Sequence, residues 1–201
     1  MSINRDFFFS YVRQHLFAGS LNSSQVKGLT GILDEWEGKY AANDDRWLAY
    51  ALATTHHETD RKFQPIKEYG GPSYYMKMYD VSGARPTLAR KMGHTAVGDG
   101  KRYFGRGFVQ LTWKVNYRKA STKLGFDFVA NPDAVMDPKH ATQILFVGMI
   151  EGWFTGKKLG DYFSKTAKNW VGARRIINGT DKANLIADYG RSYYAALSYT
   201  L

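Results

Sequence analysis

Over most of its length the sequence places apolar residues three or four positions apart, and that period dictates helices packed by one face rather than sheets. Near the N-terminus Ile3, Phe7, Phe8, Tyr11, Val12 and Phe17 mark one such face, closed at Gly19. Asn22-Ser23-Ser24 supplies capping oxygens for a second helix, with Val26, Leu29, Ile32, Leu33 and Trp36 on its inner side. A third starts after Asn43-Asp44-Asp45 and runs through Trp47, Leu48, Tyr50, Ala51 and Leu52 to His56-His57-Glu58. Residues 60–107 break the pattern: rich in Gly, Pro, Tyr and Lys, they predict loops and short elements around a cleft. Beyond them the spacing predicts an extended piece over 105–110 and helices over 112–124, 141–154, 159–178 and 182–197, with Asn131-Pro132 and Asp137-Pro138 as punctuation. Nothing repeats and no low-complexity linker intervenes, so 1–201 reads as a single, mainly α domain.

Hydrophobic residues make up 44% of the 201, enough for a packed interior and too many for a disordered basic tail. The absence of cysteine excludes disulfides, thiolate metal sites and cysteine nucleophiles. Arg13 and Gln14 interrupt the first apolar stretch too early for a secretory signal, and no run reaches the roughly 20 apolar residues of a membrane span. The net charge of +10 divides as +1 over residues 1–100 and +9 over 101–201. Such a surface attracts polyanions, but no nucleic-acid module accompanies it. Lys165, Lys168, Arg174 and Arg175 read as a solvated basic face, with contact to an anionic membrane as the sharper alternative.

Only five glutamates occur, at 35, 37, 58, 68 and 151. Glu35 and Glu37 read as solvated charges. Glu58 lies on or beside the buried face of its helix, where desolvation and the carbonyl end of the helix favour a protonated carboxyl, the state a general acid needs. A buried glutamate satisfied by an arginine or by backbone donors fits the same position. Glu68 follows Pro65 on a loop and suits a carboxylate that activates water. Glycoside hydrolysis uses such a pair, one carboxyl protonating the leaving oxygen and the other acting as base or nucleophile. His57-Glu58-Thr59-Asp60-Arg61 lacks the second histidine of a zinc-protease helix, and neither a phosphate loop, a dinucleotide fingerprint nor a Gly-x-Ser-x-Gly elbow is present.

Three ordered motifs, His57-Glu58-Thr59, Tyr103-Phe104-Gly105-Arg106-Gly107-Phe108-Val109-Gln110-Leu111-Thr112-Trp113 with Asn116-Tyr117, and Ile176-Ile177-Asn178-Gly179, resemble signatures of family 19 glycoside hydrolases. That family holds plant-type chitinases and a branch of bacteriophage endolysins. Asn131-Pro132-Asp133 to Asp137-Pro138, Met149 to Gly156, and the helix carrying Ile32-Leu33-Asp34-Glu35-Trp36 resemble the endolysin branch. The resemblance implies a lysozyme-like, two-lobed helical fold with a substrate cleft, and hydrolysis with inversion at the anomeric carbon. It implies Glu58 as general acid, Glu68 as general base and Thr112 as the hydroxyl that helps to hold the attacking water. Substrate contacts are implied for His57, Tyr103, Gln110, Asn116 and Asn178, and Arg191 for a basic residue near the acid. An inverting pair stands roughly 6.5 to 9.5 Å apart so that water fits between base and sugar. Tyr69, Tyr74 and Trp113 are aromatic faces for pyranose rings, with core packing the alternative for Trp113.

The plant enzymes are secreted and disulfide-bonded, so the missing cysteines and signal favour the endolysin branch. The expectation is therefore a monomeric peptidoglycan glycosidase of muramidase type, without cofactor or metal. It would not bind nucleic acid or insert stably in a membrane, and it would be held in the host cytoplasm until a separate membrane-permeabilising protein releases it. A chitinase cleaving β-1,4-linked N-acetylglucosamine is the alternative, and a non-catalytic wall-binding protein a third.

Overall fold

The structure, a computed structural model, describes residues 2–198. The chain divides into two compact units, one running to Gln64 and resuming at Leu145, the other formed by Pro65–Ile144.

The first unit is built on α1 (Arg5–Leu16), α2 (Ser23–Lys39), α3 (Asp45–Glu58) and α9 (Ala183–Leu197), with short 3-10 turns at Leu159–Asp161 and Gly172–Ile176. Helix α3 packs on α2 and α9, and α1 on α9. From Leu48 to His56 every residue of α3 is buried, so this helix has no solvent face and forms the centre of its unit. Its start is fixed by Asp44, whose carboxylate accepts from Arg46 N at 3.0 Å. Helix α2 opens on a reciprocal box, in which Asn22 accepts from Gln25 N and Gln25 from Asn22 N, both at 2.9 Å. It then passes Phe63 so closely that a Cβ on Gly28 would stand 1.8 Å from the Phe63 carbonyl oxygen. Glu35 and Glu37 are not free surface charges: Glu35 pairs with Lys39 at 2.8 Å, while Glu37 accepts from Ile3 N at 2.6 Å and pairs with Arg5.

Residues 159–178 correct the sequence reading, because no α-helix forms there. Two 3-10 turns flank an antiparallel bridge between Phe163 and Lys168. The Ser164 hydroxyl accepts from Ala167 N, and Asn169 Oδ1 accepts from Gly172 N at 2.7 Å, so short polar side chains capture donors that a helix would use. Arg46 reaches across to the carbonyls of Ser164 and Ala167, at 2.8 and 3.1 Å, and holds them open.

The second unit contains α4 (Pro72–Tyr79), α5 (Pro86–Lys91), α6 (Asp99–Arg102), α7 (Lys114–Leu124), a 3-10 turn at Pro132–Met136 and the start of α8 (Pro138–Glu151). Its antiparallel strands, β1 (Ile66–Lys67) and β2 (Arg106–Gly107), pair Ile66 with Gly107 and Lys67 with Arg106. The extended piece expected over 105–110 shortens to β2 because Gly107 (φ +92°) and Gln110 (φ +52°) turn the chain back. Helix α8 begins at Pro138 rather than 141: Asp137 accepts from Lys139 N and His140 N, and proline needs no donor in a first turn. Arg106, 5% exposed, pins the hairpin by donating to Asp133, Tyr117 OH and the carbonyls of Arg102 and Phe104. Helix α4 is held against α6 by Asp80, which accepts from Ser82 N and Oγ, Gly98 N and Gly100 N. Burial works against the Asp80 carboxylate, but these bonds outweigh it and hold its pKa down at about 2.

Candidate active site

Glu58 is the last residue of α3, and its side chain is 18% exposed. The helix stops there because the Thr59 hydroxyl donates to Thr55 O and accepts from Phe63 N. The backbone then reverses through Asp60, Arg61 and Phe63, all non-glycine residues with φ between +49° and +62°. Of the two environments that the sequence allows Glu58, a desolvated carboxyl or one satisfied by an arginine, the structure supplies the arginine. Arg174 Nη1 donates to Glu58 Oε1 at 2.6 Å, and its Nε donates to Asp181 O at 3.0 Å. Arg174 is 4% exposed, so it leaves the solvated basic face on which the sequence placed it. It also takes the place expected of Arg191, which is exposed on α9 and bonded to Asp188 one turn away. Arg174 is buried together with Gly172, Ala173 and Ile176 of the same 3-10 turn. Asn178 follows that turn, donating its N–H to Arg174 O at 3.0 Å; its exposed side chain accepts from Gly179 N. His57 is half-buried. His56 is buried with Nδ1 2.9 Å from Tyr193 OH, and burial, aided by the charges of Arg61 and His57, pushes its pKa down to about 3.

Glu68 extends the edge of β1, its N–H donating to Gly105 O at 2.9 Å. Oε1 accepts from Tyr79 OH at 2.6 Å and more weakly from Tyr74 OH at 3.4 Å, and Oε2 accepts from Gly105 N at 3.2 Å. Burial and the adjacent Glu68 carboxylate push the Tyr79 hydroxyl far above its ordinary pKa, so it stays a donor. Tyr75 OH fixes the Glu68 backbone by donating to its carbonyl at 2.6 Å. A Cβ placed on Gly105 would meet Gln110 Oε1 at 2.8 Å, Glu68 Oε2 at 3.1 Å and Thr112 Oγ1 at 3.2 Å. Three side-chain oxygens thus converge where only glycine leaves room. The Thr112 hydroxyl donates to Gln110 O at 2.7 Å, keeping lone pairs free to accept, and Asn116 Nδ2 donates to Thr112 O at 2.8 Å. Gln110 and Trp113 hold φ of +52° and +75°, strain of the kind that clusters at functional sites.

The structure therefore brings Glu68, Gln110, Thr112 and Asn116 together, and Glu58 together with Arg174 and the turn bearing Asn178. Tyr103 does not join them: it is 2% exposed, bonded to Val129 O and packed on Tyr117, which makes it a core residue rather than a wall of the site. Tyr79 escaped the sequence reading, although Tyr75 and Tyr79 stand one helical turn apart on α4. Tyr69 is 70% exposed and Tyr74, beside Glu68, 39%; Trp113 is half-buried and edge-on to Tyr79. A carboxylate held by a phenol and an amide, among acceptor oxygens, is equipped to take a proton from water.

The profile of glycoside hydrolase family 19, described as chitinase class I, matches residues 34–165, and the chain belongs to that family. Chitinase 6 of Oryza sativa subsp. japonica is 38% identical over 102 residues, covering 49% of this chain and 32% of the rice protein. The endochitinase of Persea americana is 32% identical over 96 residues, covering 47% of this chain and 28% of its own. Inactive chitinase-like protein 1 of Hevea brasiliensis is 41% identical over 56 residues, covering 28% of this chain and 17% of that protein. The matches span at most about a third of the length of these relatives. Among solved structures, chitinase C of Streptomyces griseus aligns with a TM-score of 0.60 at 21% identity, over 98% of this chain and 77% of that one. The class IV chitinase of Zea mays gives 0.54 at 20% identity, over 96% and 92%. These likenesses show the mainly helical, lysozyme-like fold of the family.

Proposed function

We propose that the chain hydrolyses β-1,4 bonds between N-acetylhexosamines as one catalytic domain, by a single displacement with inversion. Glu58 gives its proton to the glycosidic oxygen as the bond from that oxygen to C1 breaks. Glu68 takes a proton from the water whose oxygen bonds to C1 on the opposite face. Arg174 orients Glu58, Thr112 accepts from the attacking water, and His57, Gln110, Asn116 and Asn178 are the substrate contacts. The observation that carries this reading is the Glu68 cluster, a carboxylate fixed at both oxygens with the Thr112 and Gln110 oxygens beside it.

Chitin-type polymers of N-acetylglucosamine are the first substrate reading, supported by the names of the relatives. Peptidoglycan is the second, favoured by charge: the unit that carries Glu68 has 13 Lys and Arg against 6 Asp and Glu, a net +7 that suits an anionic wall better than neutral chitin. In that reading the protein waits in the host cytoplasm for a separate release protein. Incubating wild type and Glu58→Gln with N-acetylglucosamine hexamer and with purified peptidoglycan tests both. The substitution is expected to cut new reducing ends by at least about 100-fold with the circular dichroism unchanged. Turnover that survives it overturns the mechanism, and the polymer that wild type cleaves decides the substrate.

A further inference from the structure

His94 is fully buried in the second unit and makes hydrogen bonds only to backbone. Nδ1 lies 2.7 Å from Tyr79 O, which can only accept, so Nδ1 carries the proton. Nε2 lies 3.2 Å from Lys114 N, which can only donate, so Nε2 is a lone pair. The two partners leave the imidazole a single neutral tautomer.

Those partners stand at the two sides of the Glu68 cluster. Tyr79 is the residue whose hydroxyl holds Glu68 Oε1. Lys114 opens α7, two residues after Thr112 and two before Asn116. Trp113, at the cap position with φ +75°, offers α7 no side-chain cap, and His94 satisfies the first-turn N–H in its stead. The ring also packs against Trp113 at 5.2 Å and Tyr103 at 5.8 Å. Asp99 secures the arrangement by accepting from Thr95 N and Ala96 N, next to His94, while pairing with Lys114 Nζ at 3.2 Å.

We propose that His94 is a positioning residue, the hydrogen-bonded tie that registers the Tyr79–Glu68 contact against the turn carrying Thr112 and Asn116. The inference rests on the glycosidase reading above, which gives those residues their roles. Burial lowers the pKa of His94 against the opposing pull of Tyr79 O, Asp99 and Asp80 and with the help of Lys114, which keeps Nε2 an acceptor.

His94→Phe keeps the ring's bulk and removes both bonds; His94→Gln retains one donor and one acceptor; Tyr79→Phe removes the contact to Glu68 directly. On the polymer that wild type cleaves, His94→Phe and Tyr79→Phe are expected to lower kcat about tenfold or more with KM within about twofold, and His94→Gln to recover at least half of the loss. Independently of turnover, the carbon-13 titration curve of the Glu68 carboxyl should move in His94→Phe in the same direction as in Tyr79→Phe. A His94→Phe chain with wild-type kcat, or with a Glu68 titration coincident with wild type, overturns the proposal. So does nitrogen-15 NMR of the wild-type chain that finds the His94 proton on Nε2, an outcome that needs no variant to fold. A wild-type chain inactive on both polymers overturns only the glycosidase reading, because the titration and tautomer measurements still report on the tie.

Discussion

Arg174 has two duties, one to Glu58 and one to the Asp181 carbonyl, and neither partner is free to move to water without leaving a buried guanidinium short of an acceptor. Arg174→Met should therefore lower stability by about 2 kcal/mol in urea unfolding at pH 7, and Arg174→Lys by less, since an ammonium meets only one partner at a time. His56 gives the clearest pH signature. Its folded pKa, about 3, lies below the unfolded value near 6.5. Between those values the unfolded chain binds a proton that the folded chain refuses, so stability is complete above about pH 6.5 and falls as the pH drops. His56→Gln should shrink the loss between pH 7 and 4 by up to about 3 kcal/mol, read by denaturant midpoints at both pH values. An unchanged pH dependence would sink that assignment. At this scale the sequence shows the position of Glu58 on its helix, because helical spacing alone determines the face. It cannot show Arg174, 116 residues away, because no local period connects them. Tyr79 and His94 escaped for the same reason: their importance lies in contacts across α4, the 94–99 turn and the start of α7.

Two glycines on α2 separate packing from propensity. Gly28 faces the Phe63 carbonyl with no room for a methyl group, whereas nothing lies within 4 Å of a Cβ on Gly31. Gly28→Ala should cost about 2 kcal/mol or more, a fall in Tm of at least about 4 °C, while Gly31→Ala should leave Tm unchanged or raise it slightly. Calorimetry on the two variants checks the pair, and equal effects would refute the close contact. Helices α1 and α2, each with a side-chain cap and one apolar face, were legible from the sequence, and so were α3, capped by Asp44 but buried on every side from Leu48 to His56, and α9, which has an apolar face and no side-chain cap. The stretch 159–178 was not, although its apolar spacing is similar, because the choice between helix and turn there depends on Arg46, more than a hundred residues earlier in the chain. The 60–107 region was legible as irregular but not in detail; Asp80, closing several backbone donors at once, gives it an order that periodicity does not register.

Across the molecule, the charge looks different once the two units are known. Dividing the sequence at its midpoint assigns +9 to the second half; dividing it by fold assigns +7 to Pro65–Ile144 and +3 to the remainder. The larger part of the basic excess therefore travels with the Glu68 cluster, residues 145–201 carry a further +4, and residues 1–64 carry −1. If the wall reading holds, the rate on peptidoglycan should fall at least about tenfold between 50 and 500 mM salt, while the rate on neutral N-acetylglucosamine oligomers changes less than about twofold. Equal salt responses on the two polymers would remove charge from the argument for an anionic substrate. The discontinuity of the first unit has another consequence, one of timing. Helix α3 leaves the ribosome early, but α9, against which it packs, is made more than a hundred residues later, and Arg174 is made late as well. During synthesis the Pro65–Ile144 unit can thus close on itself while Glu58 still lacks its guanidinium. A nascent chain stalled before Gly172 holds all of the residues around Glu68 but not the guanidinium that orients Glu58, so assembly of the acid side is among the last events of folding.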